Sequence, residues 1–167
     1  MLIENYKVID DYLPKDDLRI LQNIVFSNKL PWYFNKNCSY EDQEEPYFYF
    51  SHILFENKKP NSEYYEVFRE KLLNKLDVQG LARAKLNCYP RTKELENHTR
   101  HKDFDYPNKV LLFSLNTCDG YTKLENGEMI KSIENRALFF DGQTLHNSTS
   151  CTNQKCRFNI NINFICN

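Results

Sequence analysis

The stretch 157–165 constrains this chain most, because Phe158, Ile160, Ile162 and Phe164 alternate without a break with Arg157, Asn159, Asn161 and Asn163. A period of two sends successive side chains to opposite faces of an extended strand, so one face here is apolar and the other uniformly polar. The apolar face requires a core to cover it. The polar face suits the wall of a cavity.

Four further runs after Gly80 read as strands, at 82–89, 110–116, 128–133 and 136–140, since each is short and rich in β-branched, aromatic or other apolar residues. Asp119-Gly120, Asn126-Gly127 and Asp141-Gly142 supply turns near their ends. Ahead of them, Pro14, Lys15, Asp16 and Asp17 open an amphipathic helix carried by Leu18, Leu21, Ile24 and Val25. A second helix is expected from Pro60 and Asn61, with Tyr64, Tyr65, Phe68, Leu72 and Leu76 on one face and Gly80 just beyond its end.

The expected class is therefore α+β and mostly β, with two or more N-terminal helices buttressing a β-sandwich or jelly roll. No repeat or linker divides the chain, and 167 residues suit a single domain, helical and loop-like over about 1–80 and β over about 81–167.

Lys plus Arg number 22 and Asp plus Glu 23, so no bulk charge draws the chain to nucleic acid, the less favoured partner. The longest apolar runs, such as 110–113 and 137–140, are far too short to span a bilayer, and the N-terminus lacks a signal-peptide pattern. A soluble, cytoplasmic protein without a membrane partner is expected. Cys38, Cys88, Cys118, Cys151, Cys156 and Cys166 include no CxxC and read as reduced, mostly structural thiols.

His101 and Asp103 are two residues apart, a spacing that on an extended strand directs both side chains to one face. With His146 from a distant strand they would make a two-histidine, one-carboxylate set, which leaves three positions of an octahedral ion open, as in non-haem Fe(II) oxygenases. An HxD pair alone is also a common solvated contact. Arg157 adds weight, since it opens the alternating strand on the polar face and a guanidinium binds a carboxylate bidentately.

The order Leu86-Asn87-Cys88-Tyr89-Pro90, His101-Lys102-Asp103, Leu111-Leu112-Phe113-Ser114-Leu115-Asn116, Ala137-Leu138-Phe139-Phe140, His146 and Arg157-Phe158-Asn159-Ile160 resembles the prolyl-hydroxylase-like branch of the Fe(II)- and 2-oxoglutarate-dependent dioxygenases. The resemblance covers about half the chain, roughly 81–165, and implies a double-stranded β-helix. It implies His101, Asp103 and His146 as ligands of Fe(2+), and Arg157 as the anchor of the distal carboxylate of 2-oxoglutarate. Tyr89 would reach the same co-substrate, with Ser114 and Asn159 in its surroundings. Departures are Gly120-Tyr121-Thr122 where relatives have two glycines before the threonine, and the absence of a Pro and Gly before Ala137. The interval from His146 to Arg157 is also long, which leaves Lys155 as a rival anchor.

The implied reaction consumes O2 and 2-oxoglutarate, yields succinate and carbon dioxide, and hydroxylates a substrate, with ascorbate a candidate accessory reductant. Related halogenases replace the carboxylate ligand by a small residue, so Asp103 implies hydroxylation. Fold analogy favours a peptidyl proline in a peptide or protein as substrate, ahead of a free amino acid, nucleotide or nucleobase. The polar stretches 35–46 and 92–100 are candidate covering loops, with Trp32, Tyr33, Tyr47 and Tyr49 available to pack on a ring. His52 and His98 read as structural or substrate-side residues. The readings from other classes are a non-catalytic β-sandwich binding module and a zinc hydrolase on the same three ligands. Oligomeric state has no signature here.

Overall fold

The computed structural model describes residues 6–38, 45–76 and 78–166. Eight strands form one antiparallel sheet: β1 (Tyr6–Ile9), β2 (Tyr33–Asn35), β3 (Tyr49–Glu56), β4 (Lys59–Pro60), β5 (Gly80–Pro90), β6 (Lys109–Ser114), β9 (Ala137–Asp141) and β11 (Cys156–Ile165). Its order is β1-β9-β6-β11-β5-β3-β2, with β4 also on β3. A three-stranded sheet, in the order β10-β7-β8, is built from β7 (Tyr121–Leu124), β8 (Met129–Lys131) and β10 (His146–Ser148).

Two apolar layers hold these sheets, and they lie on opposite faces of the large one. On its outer face, Ile160, Ile162 and Phe164 of β11 and Leu86 of β5 pack against helix α1 (Lys15–Val25) through Leu18, Leu21 and Val25, and against α2 (Tyr65–Lys71) through Phe68. On its inner face, Val110, Leu112, Leu138 and Phe140 meet Leu124 and Ile130 of the small sheet. The two sheets thus stack as a jelly roll. Among the described residues no helix is long and apolar enough to cross a membrane.

The strongly alternating strand sits at the centre of the large sheet, between β5 and β6. Its polar residues are as buried as its apolar ones, with Arg157, Asn159, Asn161 and Asn163 all nearly inaccessible. The face that alternation marks as polar therefore points between the sheets rather than into solvent. β5 repeats the pattern in register, with Tyr89 opposite Arg157, Asn87 opposite Asn159, Lys85 opposite Asn161 and Arg83 opposite Asn163.

The N-terminal part is less helical than expected. It contributes β1 to β4, and the second helix begins at Tyr65 rather than near Pro60. Asn57 and Lys58 both adopt positive φ, 56° and 61°, the geometry of a tight hairpin turn whose twist matches its strands, so Lys59 and Pro60 return along β3. Gly80, expected just beyond the helix, begins β5. β3 lacks a clean alternation because both of its faces carry apolar or aromatic groups. Of the expected covering loop 35–46, residues 39–44 lie outside the described residues.

Candidate metal centre

His101 and His146 stand directly opposite one another in an antiparallel bridge and exchange both backbone hydrogen bonds, at 2.9 and 3.1 Å. The bridge extends the edge of the small sheet, since His98 N–H also donates to the Ser148 carbonyl at 3.0 Å. Opposed residues share a face, which brings the two imidazoles to a ring separation of 4.8 Å. Asp103 is not on the regular strand that its spacing from His101 suggested; it sits in a bend two residues beyond the bridge. Contacts from the large sheet hold it instead. Its Oδ1 accepts from Arg83 Nη2 at 3.0 Å, and its Oδ2 accepts from Asn161 and Asn163 Nδ2, each at 3.0 Å.

One candidate ligand atom from each of His101, Asp103 and His146 lies within 4.8 Å of the others. His101 Nδ1 is 3.1 Å from the Thr99 carbonyl and His146 Nδ1 is 3.1 Å from the Thr144 carbonyl. A carbonyl only accepts, so each Nδ1 carries a proton, and in the neutral ring the lone pair lies on Nε2. Burial, reinforced by His146, lowers the pKa of His101 and favours the neutral ring. Burial alone would raise the Asp103 carboxyl, but Arg83 above all, with the Asn163 amide, holds it well below the usual carboxylate range. Two neutral imidazole nitrogens and one carboxylate fit a divalent ion and leave half of an octahedron free.

Beside this centre runs a narrow cavity whose walls include Asn87, Tyr89, Leu112, Thr122, Ser148, Asn159 and Asn161 together with His101 and His146. Arg157 lies behind it at 1 % exposure. Its guanidinium donates to the Thr149 carbonyl at 3.0 Å and to Thr122 Oγ1 at 2.9 Å, and sits 5.8 Å from the centre of the Tyr89 ring. Its Nε has no partner, and no carboxylate pairs with it among the described residues. Burial pulls its pKa below the ordinary value, yet a guanidinium keeps its proton. A buried cation without a counter-charge calls for an anion.

Tyr89, Asn159, His101 and His146 all line the cavity; Ser114 shares the face of its partner Asn159 but is not part of the wall. Lys155, the rival anchor, is exposed and precedes β11. His98 is buried against Tyr89, with ring centres 5.1 Å apart, and is tied to Ser148 Oγ at 2.8 Å. His52 belongs to a different cleft, between the Pro31 carbonyl at 2.8 Å and Ser62 Oγ at 2.7 Å. Trp32 packs on Phe158, on the helix side of the large sheet, so it is not a wall of this cavity. Arg83, Asn161 and Asn163, which position Asp103, escaped the motif reading. Their signal lay in the polar residues that recur every second position along both central strands.

The sequence matches no protein-family model and no curated protein. Solved structures resemble the chain over nearly its whole length. A prolyl hydroxylase from Trichoplax adhaerens, solved with a hypoxia inducible factor oxygen degradation domain peptide, aligns with a TM-score of 0.69 at 16% identity, over 96% of this chain and 83% of that one. A viral collagen prolyl hydroxylase from Paramecium Bursaria Chlorella virus-1, solved as its 2-oxoglutarate complex, aligns at 0.63 and 14% identity, over 97% of each chain. A non-heme alpha ketoglutarate dependent carbocyclase from nogalamycin biosynthesis aligns at 0.66 and 10% identity, over 97% of this chain and 79% of that one. The chain therefore carries the fold shared by prolyl hydroxylases and other 2-oxoglutarate- and Fe(II)-dependent oxygenases.

Proposed function

We propose that this protein is an Fe(II)- and 2-oxoglutarate-dependent dioxygenase that hydroxylates its substrate. The observation that carries the reading is the pairing of two features in one inter-sheet space. His101, Asp103 and His146 converge with oriented lone pairs, and beside them Arg157 is a buried cation with no acid partner. The first fits a divalent metal and the second fits a carboxylate. A zinc hydrolase would leave the second without a role.

His101 and His146 would hold the iron through Nε2, and Asp103 through the carboxylate oxygens that Arg83, Asn161 and Asn163 orient. Arg157 would grip the distal carboxylate of 2-oxoglutarate, with Tyr89 and Thr122 beside it and Asn159 along its length. When bound, iron and 2-oxoglutarate supply the oxidising power, with O2 as oxidant and succinate and carbon dioxide as products. The cavity's apolar walls, Leu112 and Phe140, limit water around the reacting groups. A carboxylate at position 103 favours hydroxylation over halogenation. A prolyl residue is the leading substrate, supported by the prolyl hydroxylases among the structural neighbours.

Succinate release from 2-oxoglutarate, measured with Fe(II) under air, tests the reading. Turnover in the wild type that is abolished in His101→Ala and Asp103→Ala is expected. An absence of metal binding together with an absence of turnover refutes it.

A further inference from the structure

The inner face of the two central strands carries three cations, Arg83, Lys85 and Arg157, where they border the metal centre. Arg83 is paired with Asp103 at 3.0 Å. Arg157 is accounted for by a co-substrate carboxylate. Lys85 remains. It is half-buried in the middle of β5, opposite Asn161, whose amide holds Asp103, and its charge acts on both His101 and Asp103.

The ammonium group of Lys85 has no carboxylate partner among the described residues; its hydrogen bond goes to the Tyr49 hydroxyl at 3.1 Å, and it lies 5.3 Å from the centre of that ring. Tyr49 in turn stacks on Tyr89, with ring centres 5.4 Å apart. The nearby acid Glu45 directs its carboxylate to the Cys38 backbone N–H at 2.6 Å. Lys85 is thus held by Tyr49, which is itself braced by Tyr89, keeps donors to spare, and stands four residues along β5 from the level of Arg157, roughly 13 Å at the rise of a strand. One five-carbon co-substrate gripped by Arg157 and bound to the metal does not also satisfy Lys85.

We infer that Lys85 and Tyr49 form a carboxylate-recognition site for the substrate, so that the group oxidised at the metal lies next to a negative charge. This rests on the oxygenase reading and deepens it. For a prolyl substrate, the charge comes either from an acidic side chain flanking proline in a peptide or from the α-carboxylate of free proline.

The full chain, wild type beside Lys85→Met and Lys85→Arg, is titrated calorimetrically with Mn(II) and 2-oxoglutarate present. The probes are acetyl-Asp-Pro-Asp-amide, acetyl-Asn-Pro-Asn-amide and free L-proline. The wild type is expected to bind a charged probe at least about tenfold more tightly than the Asn peptide, as one charge-assisted hydrogen bond supplies. Lys85→Met is expected to lose that preference and Lys85→Arg to retain it, which separates lost recognition from lost folding. Preference for the Asp peptide assigns the charge to a flanking side chain, and preference for free proline assigns it to the α-carboxylate. Equal affinity for charged and neutral probes, no binding of any probe, or a preference that survives Lys85→Met overturns the inference. So does a rise in the 2-oxoglutarate KM of Lys85→Met equal to that of Arg157→Ala, which would make Lys85 a co-substrate residue. Succinate formation by the wild type without any probe reports the oxygenase reading separately.

Discussion

At Asp103, a carboxylate whose side chain is 5 % exposed stays ionised because three donors from the large sheet converge on it. Those donors belong to the proposed metal site although none would be a ligand. Asn163→Ala should lower affinity for a divalent ion by roughly 10–100-fold, the usual cost of removing a group that orients a metal ligand, as measured by Co(II) titration. Arg157→Ala removes a different function: it should raise the 2-oxoglutarate requirement roughly 10–100-fold, the worth of hydrogen bonds to a charged group, while Co(II) binding stays near wild type. Lys155→Ala should change neither quantity, since Lys155 is exposed ahead of β11. A shift in 2-oxoglutarate KM on Lys155→Ala, with none on Arg157→Ala, would reverse the assignment.

At the scale of elements, the site is made by a pair of strands and a loop that closes on them. β5 and β11 bring Tyr89 to Arg157 and Asn87 to Asn159 in register, and the Asn87 amide donates to Asn159 Oδ1 at 2.9 Å. The turn entering β7 comes so close to Arg157 that only glycine fits at position 120. A Cβ there would stand 2.5 Å from the Ser150 carbonyl oxygen and 2.8 Å from Arg157 Cδ. Backbone blocks one side, so the arginine stem has to move. Gly120→Ala should therefore destabilise the fold by about 1–3 kcal/mol in urea unfolding, and should also raise the 2-oxoglutarate KM. A stable variant with unaltered KM would show that this close approach does not position the guanidinium.

Across the whole molecule, one sheet has a hydrophobic layer on its helix side and a mixed layer, part apolar and part polar, on the other. Burying polar groups in that second layer ties stability to pH. Burial, aided by the neighbouring Arg157 charge, lowers the pKa of His98 to about 4; on the helix side of the sheet, opposite Leu86, burial also lowers that of His52. Between the ordinary histidine value near 6.5 and about 4, the unfolded chain takes up protons that the folded chain refuses, so stability falls as pH falls through that window. His98 accounts for up to roughly 3 kcal/mol of this loss. Urea midpoints recorded from pH 7 to pH 4 should decline accordingly, and His98→Gln should flatten the decline. A profile unchanged in His98→Gln would place the pH dependence elsewhere.

Local sequence alone determined the strands that alternate cleanly, the first helix, and the residue types able to hold a metal and a carboxylate, because period and donor chemistry are properties of short stretches. The place of Arg157 on the polar face was legible for that reason, whereas Tyr89 was singled out only through the resemblance to the oxygenases. β3 was not, since a strand buried on both faces shows no period, and the β3–β4 hairpin hid behind Pro60, which by itself reads as a helix start. The tertiary structure alone decided that the polar face of β11 lies between two sheets, that His101 meets His146 across a bridge, and that Arg83, Asn161 and Asn163 close on Asp103. These contacts join residues 20 to 60 positions apart in the chain. No short-range pattern encodes which of many polar side chains will share a buried space; sheet register does.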